Sequence, residues 1–191
     1  MPRTILEPDA RKQQFLDAGV WVFARKGYRQ SGVSDIVARA GVARGTFYLY
    51  FESKQQLFLA IVEDFHDGVV DALESPAGTL EEAISAWLRF FAARRDQAIV
   101  VLKEASSIDA RFERSYAELR QSAIDLLAAR VSRLQDAGSA RADLDSTVAA
   151  HLLLGMLEEL VTAHVLNDAN ADLDALASAC ADVAWRGLRA K

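Results

Sequence analysis

Cysteine is almost absent from this chain: Cys180 stands alone among 191 residues, so no internal disulfide can form and a reducing, cytoplasmic setting is expected. Proline and glycine are scarce, at three and ten, while Ala, Leu, Arg and Glu abound, a balance that favours helix over sheet. No segment approaches the ~18 uninterrupted apolar residues of a membrane span, and no membrane partner is expected. The opening Met1-Pro2-Arg3-Thr4-Ile5-Leu6-Glu7-Pro8 is too short and too interrupted for a signal peptide. A glycine-rich phosphate loop after a strand, a nucleophile elbow and a supported carboxylate pair are all missing, so neither an enzyme nor a cofactor is expected. His66, His151 and His164 lack metal-ligand spacing, and no metal site is expected.

What is present is an ordinary globular balance, 51% hydrophobic and 26% charged, which excludes wholesale disorder. The length suits one large domain or two small ones. Charge is uneven along the chain. Residues 1–54 hold nine Lys/Arg against five Asp/Glu, and the remainder holds thirteen against twenty-two. Such an asymmetry suits a basic head that meets phosphates and an acidic body held away from them.

Periodicity predicts a first helix over Asp9–Lys26, with Phe15, Ala18, Gly19, Val22 and Phe23 on one buried face. Ser34 stands where a second helix needs a cap, with Asp35 in its first turn and Gly41 ending it. A further short helix is predicted over Arg44–Phe51. At ~100° per residue Phe47 and Phe51 lie within ~40° of each other and anchor it. Leu49 falls nearly opposite them, flanked by Gly45 and Thr46, with Arg44 and Tyr48 to one side and Tyr50 to the other. A tight turn between two short helices, the second presenting small, aromatic and basic side chains, is what a helix-turn-helix needs to enter a DNA major groove.

Further helices are predicted over residues 54–73, 79–94, 97–106, 109–137, 143–165 and 172–189, giving about nine in all and no strand. Ser53 with Gln56 and Thr79 with Glu82 form capping boxes; Ser75-Pro76-Ala77-Gly78 is the clearest break. The reading is an all-α protein: a three-helix head, residues 1–54, joined to a larger helical body, residues 55–191.

The segments Phe23-Ala24-Arg25-Lys26-Gly27-Tyr28, Val33-Ser34-Asp35-Ile36-Val37-Ala38-Arg39-Ala40-Gly41-Val42 and Gly45-Thr46-Phe47-Tyr48-Leu49-Tyr50-Phe51-Glu52-Ser53-Lys54-Gln55-Gln56-Leu57 resemble the TetR family of bacterial transcriptional regulators. The resemblance covers about the first 60 residues. It implies a homodimer that binds a palindromic double-stranded DNA operator, usually as a repressor, and releases it when a small-molecule effector occupies the body. It maps DNA contacts onto Ser34, Arg44, Gly45, Thr46, Tyr48, Leu49, Tyr50 and Lys54. Arg44 either reads a guanine or binds phosphate; Leu49 could meet a thymine methyl where Gly45 allows close approach.

For the body, the resemblance implies a cavity among the middle helices, and Trp87, Phe91, Phe112, Tyr116 and Glu159 are the expected ligand-binding residues, for an apolar or amphipathic effector. His151, Glu158 and Glu159 either line that cavity or belong to a solvated face. Ala149, Leu152, Leu153, Gly155, Met156 and Leu160, then Leu176, Ala179, Val183, Ala184 and Leu188, form stripes on the last two helices. They suit a four-helix dimer interface or the monomer's own core. The rival reading is a helical small-molecule carrier or sensor without DNA-binding activity.

Overall fold

A computed structural model describes residues 7–74, 78–108 and 110–190. Among these are nine α-helices and no strand: α1 (Pro8–Lys26), α2 (Val33–Ala40), α3 (Arg44–Tyr48), α4 (Lys54–Glu74), α5 (Leu80–Ala93), α6 (Arg95–Ile108), α7 (Ala110–Asp136), α8 (Ser146–Leu160) and α9 (Leu173–Leu188). A π-type turn, Val161–Val165, prolongs α8. Ser75, Pro76 and Ala77 of the expected break, and the expected start of α7 at Asp109, lie outside the described residues.

Helix ends follow the local chemistry in most places. Thr79 Oγ1 accepts from the Glu82 N–H while the Glu82 carboxylate accepts from the Thr79 N–H, a reciprocal box that satisfies two otherwise orphaned donors. Asp145 accepts from the N–H groups of Thr147 and Val148, and Asp172 from that of Ala175. Gly41 closes α2 at φ 67°, the left-handed conformation that a side chain would strain.

Several boundaries differ from expectation, two of them in the head. Ser34 does not cap α2; it is the helix's second residue, and Gly32 is the cap position. The Asp35 carboxylate reaches back to accept the Gly32 N–H at 2.9 Å and is itself held by Lys26, so a contact from α1 starts the helix earlier than a serine would. α3 ends at Tyr48 rather than Phe51. Leu49 and Tyr50 donate to carbonyls three residues back, a tighter turn that lets Phe51 fold under the helix.

The described chain divides into two compact units. One holds the residues up to Phe65 together with Asp96–Tyr116; the other holds His66–Arg95 and the residues from Ala117 onward. In the first unit the core is aromatic. Phe15 meets Phe47 and Phe51 edge-on at 5.5 and 6.1 Å between ring centroids, and Phe58 packs on Phe23, Tyr28 and Phe112. α1 crosses α4 closely: a Cβ on Gly19 would stand 2.9 Å from Leu57 Cδ2. Gln97, nearly buried, donates to the Ile61 carbonyl and to Asp64, so α6 is tied to α4 by a satisfied polar contact.

In the second unit, α5 packs along α9, and Arg120 grips Glu158 through two hydrogen bonds of 2.8 Å. An antiparallel bridge between Ala140 and Arg189 pins the end of α9. The stripes on α8 and α9 divide. Ala149 and Leu188 are buried with Val131, and Leu153 packs against them. Leu152 and Val183, each 62% exposed, remain uncovered with Val148, Gly155 and Ala179. Ser146–Val165 is also long and apolar enough to cross a membrane, with a mean hydropathy of 1.4. It nevertheless carries Glu158, bonded to Arg120, and the exposed Glu159.

Candidate functional site

The aromatic core of the first unit determines which side of α3 faces outward. Phe47 is wholly buried and Phe51 nearly so, which leaves Leu49 80% exposed and Tyr48 48% exposed. An isolated, solvated leucine gains nothing from such exposure. A row of Arg44, Gly45, Tyr48 and Leu49 on one short helix is a surface shaped for contact. A Cβ on Gly45 would meet nothing within 4 Å, so the protein's own packing does not require glycine there. Arg44 donates to the Tyr48 hydroxyl at 3.3 Å, and its guanidinium lies 5.9 Å from that ring's centroid. This contact turns the fork along the exposed face of the helix rather than back into the unit.

Thr46 and Tyr50 are half-buried; the Tyr50 ring rests on Phe15 at 5.7 Å. Ser34 is exposed in the first turn of α2, where the unpaired N–H groups of a helix start favour an anion. Lys54 is placed differently from the others. Its ammonium donates to the carbonyls of Tyr28 and Ser31 at 2.6 and 2.8 Å and sits 4.1 Å from the centre of the Tyr28 ring. Burial lowers its pKa. Lys54 thus fastens the start of α4 to the turn before α2. Other basic residues are also engaged: Arg25 pairs with Asp96, Lys26 with Asp35, and the Arg25 and Arg39 guanidinium groups each lie 4.6 Å from the Trp21 ring centroid. Of these partners only Asp96 lies outside residues 1–54, so it offsets one of the charges in the head's basic excess.

The second unit contains two adjoining cavities. The larger, about 660 Å³, is bounded by α7 and α9, with Leu134, Ser178, Asp182 and Trp185 on its wall. The smaller, about 40 Å³, is walled by Ile84, Trp87, Leu157 and Cys180. Leu80, Leu127, Arg130 and Leu153 line both, so the two spaces share a wall. The lining is mostly aliphatic. Arg130 donates to the Leu73 carbonyl at 3.4 Å, and Asp182 pairs with Arg186. Burial raises the Cys180 thiol above its ordinary pKa.

The five residues expected to bind ligand do not gather in one place. Trp87 lines the smaller cavity, and Phe91 backs it at 4.9 Å between rings while lining neither space. Phe112 packs on Phe58 and Tyr28 in the first unit, which also holds Tyr116. Glu159 is exposed and lines neither cavity; His151 is also exposed, its Nδ1 2.8 Å from the Thr147 carbonyl. His151 and Glu159 thus lie on a solvated face, while Glu158, half-buried, serves the Arg120 pair. Both cavities are also lined by Leu127 and Arg130, which the sequence does not single out, and by Leu153, named there only for its place in the α8 stripe. Arg130 had a signal: it sits three residues after Leu127 on the face that continues through Val131 and Leu134.

Comparison with known proteins adds a frame to this geometry. The family described as bacterial regulatory proteins, tetR family, matches residues 15–61, and the tetracyclin repressor-like C-terminal domain matches residues 73–164. The chain is 29% identical over 185 residues to the fatty acid metabolism regulator protein of Bacillus subtilis, covering 93% of this chain and 95% of that one. The structure of the fatty acid degradation regulator FadR from Bacillus halodurans matches with a TM-score of 0.83 and 30% identity, over 97% of this chain and 99% of the other. That of FadR from Bacillus subtilis in complex with stearoyl-CoA matches with a TM-score of 0.77 and 29% identity, over 92% and 98%.

Proposed function

We infer the function from one premise: the chain belongs to the TetR family and is a helix-turn-helix transcriptional regulator. It acts as a cytoplasmic homodimeric repressor, not an enzyme, and releases a near-palindromic operator when a long-chain acyl effector enters the second unit. The observation that carries this reading is the pairing of an outward Arg44-Gly45-Tyr48-Leu49 surface with a mostly aliphatic cavity of about 660 Å³ in the same chain. A related regulator's complex with stearoyl-CoA supports the acyl class.

In this mechanism residues 1–54 are the reading module. α3 enters the major groove; Arg44 reaches a base edge or a phosphate, Leu49 a thymine methyl, and Tyr48 and Tyr50 phosphate oxygens, with Thr46 beside them. Gly45 admits the backbone to the groove, and the start of α2 at Ser34 takes a phosphate. Lys54 contributes by holding the turn that carries α2, and its remaining N–H can face a phosphate. Two-fold symmetry places half-site centres one helical turn apart, ~34–36 Å, or at a related spacing. The uncovered Leu152, Gly155, Ala179 and Val183 of α8 and α9 support a dimer in which two helices from each subunit pack together. The same pairing would cover the apolar face of Ser146–Val165 without a membrane. An effector that prefers one of two dimer states shifts operator affinity by a coupling of ~1–3 kcal/mol.

The test is a gel-shift assay at moderate salt on the DNA flanking the protein's own gene, with and without stearoyl-CoA. A retarded band that the thioester abolishes is expected. Retardation on no flanking sequence would favour the carrier or sensor reading. A monomeric mass by light scattering at micromolar concentration would sink the dimer.

A further inference from the structure

The smaller cavity is lined in part by Trp87, a residue that carries an unmatched polar group. Trp87 is 3% exposed, and its indole Nε1 is buried with no hydrogen-bond partner among the described residues. Buried indole N–H groups ordinarily find an acceptor, because leaving one dry forfeits the hydrogen bond it made with water when unfolded. The wall around it offers little help: Leu73, Ala83, Ile84, Leu127 and Leu157 are aliphatic, the Cys180 sulfur is only a weak acceptor, and Arg130 is a donor bonded to the Leu73 carbonyl. The chamber measures about 40 Å³, enough for a water or a short piece of chain. An alkyl segment entering it would displace any water and leave the donor unpartnered.

We propose that the Trp87 indole N–H is a ligand-recognition donor, and that the effector is an acyl chain with a neutral oxygen acceptor, a carbonyl or hydroxyl, along its length. The assignment rests on the acyl reading given above and narrows it. A matched oxygen gains the hydrogen bond and relieves the dry donor together. A plain chain of equal length gains neither, so discrimination comes from one buried donor in an apolar wall.

The experiment compares octadecanoic acid with its mono-oxo positional isomers, each as free acid and as coenzyme A thioester, binding to the full-length protein by calorimetry. At least one isomer is expected to bind about tenfold more tightly than the plain chain. Trp87→Phe should bring that ratio close to one; packing lost on shortening the ring affects both ligands and cancels. As a second readout, the indole ¹H–¹⁵N signals of the wild-type protein are assigned by elimination with Trp21→Phe and Trp185→Phe. The Trp87 proton should move downfield with the preferred isomer and not with the plain chain. Equal binding of all isomers, or a preference that survives in Trp87→Phe, overturns the assignment while leaving the acyl reading intact. If no acyl ligand binds at all, the acyl reading fails and this assignment fails with it.

Discussion

The two compact units use aromatic residues in opposite ways. In the first, Phe15, Phe47, Phe51 and Phe58 are buried against one another, and the proposed reading surface is what they push outward. In the second, Trp87 and Phe91 stack beside space that is left unfilled, the proposed place of the effector. The contrast separates a candidate surface of exposed side chains from a candidate cavity whose aliphatic lining carries a few polar groups, Arg130, Ser178 and Asp182 among them. A surface that reads DNA needs rigid support and reachable donors. A site for an acyl chain needs unfilled space and only the few donors that its oxygens can meet.

The strongest way to break this comparison is to remove the support. Phe47→Ala takes a fully buried ring from the head and should cost ~3–5 kcal/mol, abolishing operator binding at ordinary temperature. Thermal melts should show the first unit failing ahead of the second. A single unchanged transition would mean that the aromatic core does not hold α3 in place.

Next in size is a substitution that acts only on the surface. Arg44→Ala should leave the melting temperature nearly unchanged and relax preference at one base pair by ~1–3 kcal/mol. Equal weakening on every sequence would reduce Arg44 to phosphate binding. On the cavity side, Leu153→Phe adds volume to a wall shared by both spaces. Operator binding should persist, while the effector concentration needed for release rises about tenfold, the scale of a mismatched methylene or two.

Lys54 tests the boundary between support and surface. Lys54→Met removes two hydrogen bonds to main-chain carbonyls and should lower the stability of the first unit by ~1–2 kcal/mol. If its ammonium also meets a phosphate, the slope of log affinity against log salt falls by ~0.9 as well. An altered slope without any loss of stability would show that the turn does not depend on it.

The smallest effect concerns acid. The Lys26 ammonium and the Gly32 N–H hold the Asp35 carboxyl below its usual pKa. Its folded pKa lies below the unfolded one, so the contribution is complete above the unfolded value and disappears as pH falls through the folded value. Melting temperatures from about pH 5 to about pH 3 should therefore fall less steeply for Asp35→Asn than for the wild type. Parallel curves would remove Asp35 from the account of how α2 begins.

Most helix ends were legible because their chemistry is local. Thr79 with Glu82, Asp145, Asp172 and Gly41 act within a few residues of themselves. Ser34 misled because the start of α2 is set by Asp35 and by Lys26 from another helix. The anchors Phe47 and Phe51 followed from helical spacing, and the exposure of Leu49 followed from them. Lys54 could be placed at the start of α4, but not on the carbonyls of Tyr28 and Ser31, which lie more than twenty residues away.

By itself the sequence determined the all-α class, the helix-turn-helix and the side of α3 that faces outward, because backbone periodicity and capping are short-range. Only the tertiary structure assigned Phe112 and Tyr116 to the first unit, left Glu159 in solvent, and put Leu127, Arg130 and Leu153 around empty space. The reason is physical. An apolar stripe states that a face avoids water, and it is the same stripe whether that face meets a neighbouring helix, a second copy of the chain, or a cavity awaiting a ligand.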